Sequence, residues 1–280
     1  MQDPYILYIG NLVPQHSFAI RTSNRSFKYG DGLFETIRIS NGKCNFLSAH
    51  FNRLFRGMRY LKMQIPDALE AKRLEDDLYK LIEANGISAG GRLRLTVYRA
   101  GQGTYVPVGN TVQYIAEVVE TDNEYQLNRT GMNIGIYGGM KKPMNVLSSI
   151  KSASALLYVM AGIEQQERHW GEAIILNENG HLCEAVSSNI FIVKDQVLYT
   201  PALSEGCIPG VMRNVIINVA HAMEMKTEEV ILGIDALKHA DEVFFTNAIQ
   251  GIQWALGFEQ KRYFNSISRK LHSGLLELVS

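Results

Sequence analysis

The hydrophobic period along the chain changes several times, and each change marks an element. Residues 33–39 (LFETIRI) alternate as a half-buried strand should, and residues 41–43 (NGK) follow as a turn. From Ser48 onward the spacing becomes helical: Phe51, Leu54, Phe55, Met58 and Leu61 share one stripe of AHFNRLFRGMRYLKM, with Ser48 as the expected cap. A second helix is predicted over residues 69–84, closed by Asn85-Gly86, and strands are predicted at RLRLTVYR and TVQYIAEVVE. Residues 120–129 (ETDNEYQLNR) are polar and without period, so they read as a linker. Beyond them come a strand at MNIGIYG, a helix over 152–168 and short strands at AIILN, NIFIV and VLYT, with ENG and KDQ as turns. A helix opening near Gly210 runs through VMRNVIINVAHAM, followed by EVFFT, GIQWALG and a last helix. Strands and helices mixed in two blocks predict an α+β fold, with an N-terminal domain over 1–119 and a C-terminal domain over 130–280.

Composition narrows the class of protein. The 280 residues are 46% hydrophobic and 20% charged, which suits packed cores and argues against disorder. Basic and acidic residues balance at 28 each, so no net charge draws the chain to nucleic acid or anionic membrane, although a local cationic pocket is still compatible. No apolar run reaches the roughly 18 residues of a membrane span, and MQDPYILYIGNLVP lacks the basic start of a signal peptide. Cys44, Cys183 and Cys207 are far apart, without a C-x-x-C pair, and the seven histidines are scattered. This predicts neither a disulfide framework nor a protein-bound metal, and a reducing, cytoplasmic setting.

Several residues stand out as chemistry. Lys151 follows an apolar Ile among small residues in NVLSSIKSASALLYVMAG. Burial lowers a lysine's hold on its proton, and a neutral amine attacks aldehydes. On spacing alone, a solvated lysine at a helix start is the commoner case. Glu184, among Cys, Ala, Val and Ser between a turn and a strand, suits a salt bridge to a protonated ring nitrogen or an ordinary strand-end charge. Gly210 opens a helix whose free amides suit phosphate. Thr246 and Asn247 end a strand with a hydroxyl and an amide, and Arg53 lies on the polar side of the capped helix, where a solvated charge is the plain reading. YGDGLFET (29–36) lacks the Gly-Lys-Ser/Thr ending of a P-loop, and YRAGQGTY (98–105) lacks the third glycine of a dinucleotide fingerprint. Phe34, Phe51, Phe191 and Phe244 read as core, whereas Trp170 and Trp254 either line a pocket or fill space.

Taken in order, YGDGLFET, SAHFNRL, IKS, CEAVSSNIFIV with VLYTP, IPGVMR and FFTNA resemble the class IV aminotransferase family over about residues 25–255. That family comprises the fold-type IV pyridoxal phosphate enzymes: branched-chain and D-amino acid aminotransferases and 4-amino-4-deoxychorismate lyases. The resemblance implies a two-domain α+β fold like that of the D-amino acid aminotransferases, the C-terminal domain larger and carrying a barrel-like sheet. It implies pyridoxal 5′-phosphate as cofactor and a homodimer. Lys151 would be the Schiff-base lysine and proton carrier, and Glu184 the partner of the pyridine nitrogen. Arg53 would bind the phosphate with backbone N–H groups at Val211 and Met212 and the Asn247–Ala248 turn, which turns Arg53 from a surface charge into an anion clamp.

The branch of the family is read from finer wording. FET in place of the FEG of branched-chain enzymes puts Thr36 where the lyases tend to carry a threonine near the substrate, and FLSAHFNRL, the GVMR helix start and the TNA turn also look like the lyases. Arg99 and its rival Arg94 are candidates for a substrate carboxylate, and Tyr29 and Tyr105 flank glycine turns within reach of a substrate. Ser154 departs from the asparagine usual three residues after the lysine, which bears on the local helix packing; Ala248 replaces a threonine that transaminases often supply. The expectation is a lyase of folate biosynthesis, releasing p-aminobenzoate and pyruvate. The alternatives are an aminotransferase for branched-chain or D-amino acids and a catalytically inactive binding domain.

Overall fold

The computed structural model describes residues 3–279. It divides into two compact units: Met1–Glu124 with Lys151–Ser154, and Tyr125–Ile150 with Ala155–Ser280. Four residues of the second half of the sequence, Lys151 among them, therefore belong with the N-terminal sheet.

The first unit holds strands β1 (Tyr5–Tyr8), β2 (Asn11–Pro14), β3 (Gly32–Ser40), β4 (Lys43–Cys44), β5 (Gly91–Arg99) and β6 (Val112–Glu120), and helices α1 (Arg25–Tyr29), α2 (Leu47–Tyr60) and α3 (Ala71–Ala84). The strands form one antiparallel sheet in the order β2-β1-β6-β5-β3-β4. Alternation along β3 and β5 splits the sheet into two faces. Leu33, Ile37, Ile39, Leu93, Leu95 and Val97 are buried on the face that α2 covers with Phe51, Leu54 and Met58. Phe34, Thr36, Arg94 and Thr96 stand on the other face, half-buried. Phe34 is thus not a core residue, whereas Phe51 is.

The predicted elements are present, with shifted ends. Helix α2 starts at Leu47 behind Phe46, whose φ of 54° is left-handed, and no side chain caps it; Ser48 is already inside the helix, so its expected capping role is withdrawn. Residues 67–69 form a separate 3-10 turn, and α3 begins at Ala71 rather than 69. Strands β1 and β2 and helix α1 carried too little periodicity in four or five residues to be predicted.

The second unit holds β7 (Met132–Ile136), α4 (Leu156–Glu167), β8 (Glu172–Leu176), β9 (Leu182–Ala185), β10 (Asn189–Lys194), β11 (Val197–Pro201), α5 (Val211–Ala222), β12 (Thr227–Val230), α6 (Asp235–His239), β13 (Glu242–Asn247), β14 (Gly251–Phe258), β15 (Lys261–Arg262) and α7 (Ser266–Val279). Its nine-stranded sheet runs β12-β11-β10-β13-β14-β7-β8-β9, with β15 on β14, and mixes parallel and antiparallel pairs. Ile174, Leu182, Ile190, Ile192, Val243 and Phe245 lie in its core, and Phe191 stacks on Phe244 at 5.1 Å. Trp254 and Trp170 fill space over Gly131 and Gly135, where a Cβ would lie 2.4 and 2.1 Å from the indole atoms.

Two differences bear on function. The helix expected from 152 starts at Leu156. Residues 151–154 instead run extended beside β3: Phe34 N–H donates to Lys151 O at 3.1 Å, Ala153 N–H donates to Gly32 O at 2.8 Å, and Leu33 bridges Ser152. Lys151 is thereby fixed by backbone pairing instead of fraying at a helix end. Glu184 lies inside β9, a strand the sequence reading had missed, and not between a turn and a strand.

Candidate active site

In the first unit, Lys151 Nζ lies 4.4 Å from the centre of the Phe34 ring, and the Arg94 guanidinium carbon lies 4.0 Å from the same centre. Cations over a π face are attracted to it. Arg94 is the register partner of Thr36, so Lys151, Phe34, Thr36 and Arg94 gather on one sheet face. Burial disfavours the charge on Arg94, Glu117 favours it, and Arg92 opposes it.

On the opposite face, β3 turns a carboxylate into the apolar phase. Glu35 stands between Leu33 and Ile37, and α2 answers with His50 and Arg53, one turn apart. Arg53 Nε donates to Glu35 Oε1 at 2.8 Å and its Nη2 reaches Oε2 at 2.5 Å; His50 Nδ1 lies 2.7 Å from Oε2. Burial alone would raise the Glu35 carboxyl, but Arg53 and His50 bring it down to about 2. Burial lowers His50, the Glu35 bond raises it, and the cations of Arg53 and Lys151 lower it again. Arg53 is therefore no solvated surface charge: Glu35 sets the direction of its guanidinium. Glu35 and His50 were missed, although a carboxylate in the apolar phase of LFETIRI was a readable signal.

Arg99 is corrected as a candidate for a substrate carboxylate. It is buried, and all three of its nitrogens are engaged: Nε with Asp31 at 3.0 Å, Nη1 with Asn110 Oδ1 at 2.5 Å and Nη2 with Leu61 O at 2.7 Å. It braces loops. Tyr29 and Tyr105 come together at 5.5 Å with Arg25 over Tyr29, and Tyr105 is 87% exposed.

In the second unit, Glu184 is buried and accepts three hydrogen bonds: Lys142 Nζ at 2.5 Å and Tyr158 Oη at 2.6 Å on Oε1, and Ile208 N–H at 2.8 Å on Oε2. Burial and then the neighbouring Glu184 charge push the Tyr158 phenol strongly upward, so it stays protonated and donates. Lys142 was not foreseen, because nothing in GGMKKPMN separates buried Lys142 from exposed Lys141.

Gly210 is the N-cap of α5, where no side chain caps the helix and no acidic residue occupies the first turn. A Cβ at Gly210 would meet Asn189 Oδ1 at 2.1 Å, and Asn189 Nδ2 is anchored on Thr246 O and Oγ1 at 2.8 and 2.9 Å. Chain and amide thus approach closely beside the Val211 and Met212 amides, as an anion cradle requires. Thr246 is buried and takes the Asn189 bond. Asn247 Oδ1 caps the turn by accepting from the Ile249 and Gln250 amides, while Nδ2 donates to Ser188 and Gln250. The side chains of Thr246 and Asn247 shape the turn rather than offering loose polar groups, which corrects that expectation.

In chemistry, the groups of each unit suit a pyridine aldehyde phosphate: in the first an amine on a backbone-paired segment, and in the second a buried carboxylate with acceptor capacity left on Oε2 and a helix start that no side chain caps. The two sheets are those of the fold-type IV class of pyridoxal phosphate proteins. The class IV amino-transferase family model matches residues 32–255, and the chain belongs to that family. It is an enzyme, and its cofactor is pyridoxal 5′-phosphate. A D-alanine aminotransferase of Listeria monocytogenes is 28% identical, over 98% of this chain and 96% of that protein. An aminodeoxychorismate lyase of Vibrio harveyi is 26% identical, over 82% of this chain and 83% of that one. The branched-chain aminotransferase of Thermoproteus uzoniensis shares the fold, with a TM-score of 0.88 at 24% identity over 96% of this chain and 92% of that one.

Proposed function

We propose that the chain is a 4-amino-4-deoxychorismate lyase that releases p-aminobenzoate and pyruvate. The observation that carries this reading is Thr36 set across from Arg94 on the face where Lys151 and Arg94 both lie over Phe34. Lys151 holds the cofactor aldehyde and takes the proton from the amine-bearing carbon of the substrate. Arg94, rather than the braced Arg99, receives a substrate carboxylate, and the Thr36 hydroxyl holds the departing enolpyruvyl group. For the cofactor phosphate the first unit offers Arg53, aimed by Glu35, and the second the Val211 and Met212 amides and the Asn247–Ala248 turn. Glu184 faces the pyridine nitrogen. When bound, the cofactor supplies an electron sink for the charge left at the substrate carbon.

The chain works in this reading as a homodimer in a reducing, cytoplasmic compartment. Leu156, Val159, Met160 and Ile163 support the dimer. They lie at i, i+3, i+4 and i+7 on one face of α4 and are 43–73% exposed, an apolar stripe that a second copy would cover.

Incubation with pyridoxal phosphate and 4-amino-4-deoxychorismate tests the activity, with Lys151→Ala as control. Multiple turnovers of p-aminobenzoate and pyruvate, lost in the variant, support the lyase. A loaded protein without release rejects it. A second reading, an aminotransferase for D-amino or branched-chain acids, is favoured by the alignment with D-alanine aminotransferases over nearly the whole chain. Turnover of D-alanine or leucine with 2-oxoglutarate would establish it.

A further inference from the structure

Lys142 is buried, and its place is not that of a wandering surface cation. Its N–H donates to Leu176 O at 2.9 Å, and its carbonyl accepts from Glu178 N–H at 3.0 Å, so the backbone is pinned beside β8. The side chain ends 2.5 Å from Glu184 Oε1 and 5.6 Å from the centre of the Tyr158 ring, itself a donor to the same oxygen. Two donors saturate Oε1, and the Ile208 amide takes one position on Oε2. The Cys183 and Cys207 thiols feel the charges of this pair, and Cys183 also feels Glu205 and Cys207 Arg213.

Resting on the reading of Glu184 as the partner of the pyridine nitrogen, we propose that Lys142 is a positioning residue that sets the protonation of that nitrogen through Glu184. The ammonium pairs with the carboxylate at Oε1 and leaves Oε2 with acceptor capacity for a ring nitrogen. A ring proton would then feel an ion pair of zero net charge in place of a full negative charge. The nitrogen holds its proton less firmly than it would against Glu184 alone. A less protonated ring is a weaker electron sink, so negative charge on the substrate carbon is shorter-lived.

The test follows the ring nitrogen itself. Wild type, Lys142→Met and Lys142→Arg are loaded with pyridoxal phosphate labelled with 15N in the ring, and the nitrogen shift is recorded against pH. Lys142→Met is expected to move the titration upward by about one pH unit or more, and Lys142→Arg to restore the wild-type curve. A Lys142→Met curve that overlays the wild type overturns the proposal. Should Lys142→Met not fold, Lys142→Gln keeps a donor to Glu184 without the charge and takes its place: the same upward shift is expected, and a curve that overlays the wild type overturns the proposal. Borohydride reduction and peptide mapping separate this outcome from failure of the cofactor reading. A label on Lys151 with an unmoved nitrogen rejects only the role of Lys142, whereas no label on Lys151 rejects the cofactor assignment beneath it.

Discussion

Thr36 lies directly across the β3–β5 ladder from Arg94, and the Arg94 guanidinium lies over the ring of Phe34, two residues before Thr36. A hydroxyl and a cation are thus held at fixed separation by strand pairing, on the face that also carries Lys151. Removing the hydroxyl while keeping the shape isolates its part. Thr36→Val is expected to lower kcat for p-aminobenzoate release about 100-fold with little change in KM. Arg94→Gln is expected to raise KM instead. Steady-state kinetics on the two variants distinguish these roles, and equal losses in KM for both would reject a role for Thr36 in the chemical step.

Glu35 makes the first unit sensitive to acid. Its carboxyl is held at about 2, below the ordinary 4.5, so the folded state releases this proton more readily than the unfolded chain. The stability it contributes is fully present above pH 4.5 and is lost as pH falls through 2. A gap of that size corresponds to about 3 kcal/mol for this buried group. Urea unfolding of the cofactor-free protein at several pH values checks it. The difference in stability between wild type and Glu35→Gln should shrink steadily below pH 4.5.

Glu172 has the opposite sign. Burial pushes its carboxyl up to about 7, against hydrogen bonds from Ser188 and the Ala173 and Val186 amides. The folded state therefore binds this proton more tightly than the unfolded chain, and its contribution is present below pH 4.5 and lost as pH rises through 7. Glu172→Gln keeps the shape without the charge. It is expected to raise the unfolding free energy measured in urea at pH 8 by about 3 kcal/mol at most, and to leave it nearly unchanged at pH 4.

Particular residues show why some of this was legible in the sequence and some was not. The two faces of β3 follow from alternation, α2, α3 and α5 from long periodic runs, and β7, β8, β10, β11 and β13 from short apolar runs between turns, whereas β9, β12 and β15 carried no such signal. Lys151, Glu184 and the Gly210 helix start came as an ordered set of short motifs. What escaped notice depends on partners distant in sequence. Arg99 looks like Arg94 until Asp31, Asn110 and the Leu61 carbonyl close around it. Lys142 looks like Lys141 until β8 and β9 bring Glu184 to it across 42 residues. Residues 152–155 read as helix because Ser and Ala permit it, but β3 pairs with the backbone of residues 151–153 instead, and that pairing holds Lys151.

Gly210 is constrained by space rather than by φ, which is −64°. An added Cβ would collide with Asn189 Oδ1, and Asn189 cannot withdraw without losing two bonds to Thr246. Gly210→Ala is expected to cost about 1–3 kcal/mol of stability through this overpacking. It should also weaken pyridoxal phosphate binding, because the helix start and the Asn189 amide would move apart. Calorimetry gives the first effect and fluorescence titration of the cofactor-free protein the second. Unchanged affinity in a destabilised variant would remove the α5 amides from the phosphate site.

The α4 stripe calls for a test of assembly. The helix segment LLYVMAGI is apolar enough for a core, yet among its described residues only Ala161 is buried. Leu157 and Tyr158 pack partly against Ile175 and Tyr137, whereas Leu156, Val159, Met160 and Ile163 face outward. Placing a charge in the middle of that face changes nothing beneath the helix if the face is solvated. It costs an interface dearly if the face is covered, because an unpaired charge would be buried. Val159→Asp is therefore expected to convert a dimer into monomers in sedimentation velocity at micromolar concentration, with the circular dichroism spectrum unchanged. A wild type that sediments as a monomer, or a variant that remains dimeric, would mean that this stripe is not where two copies meet.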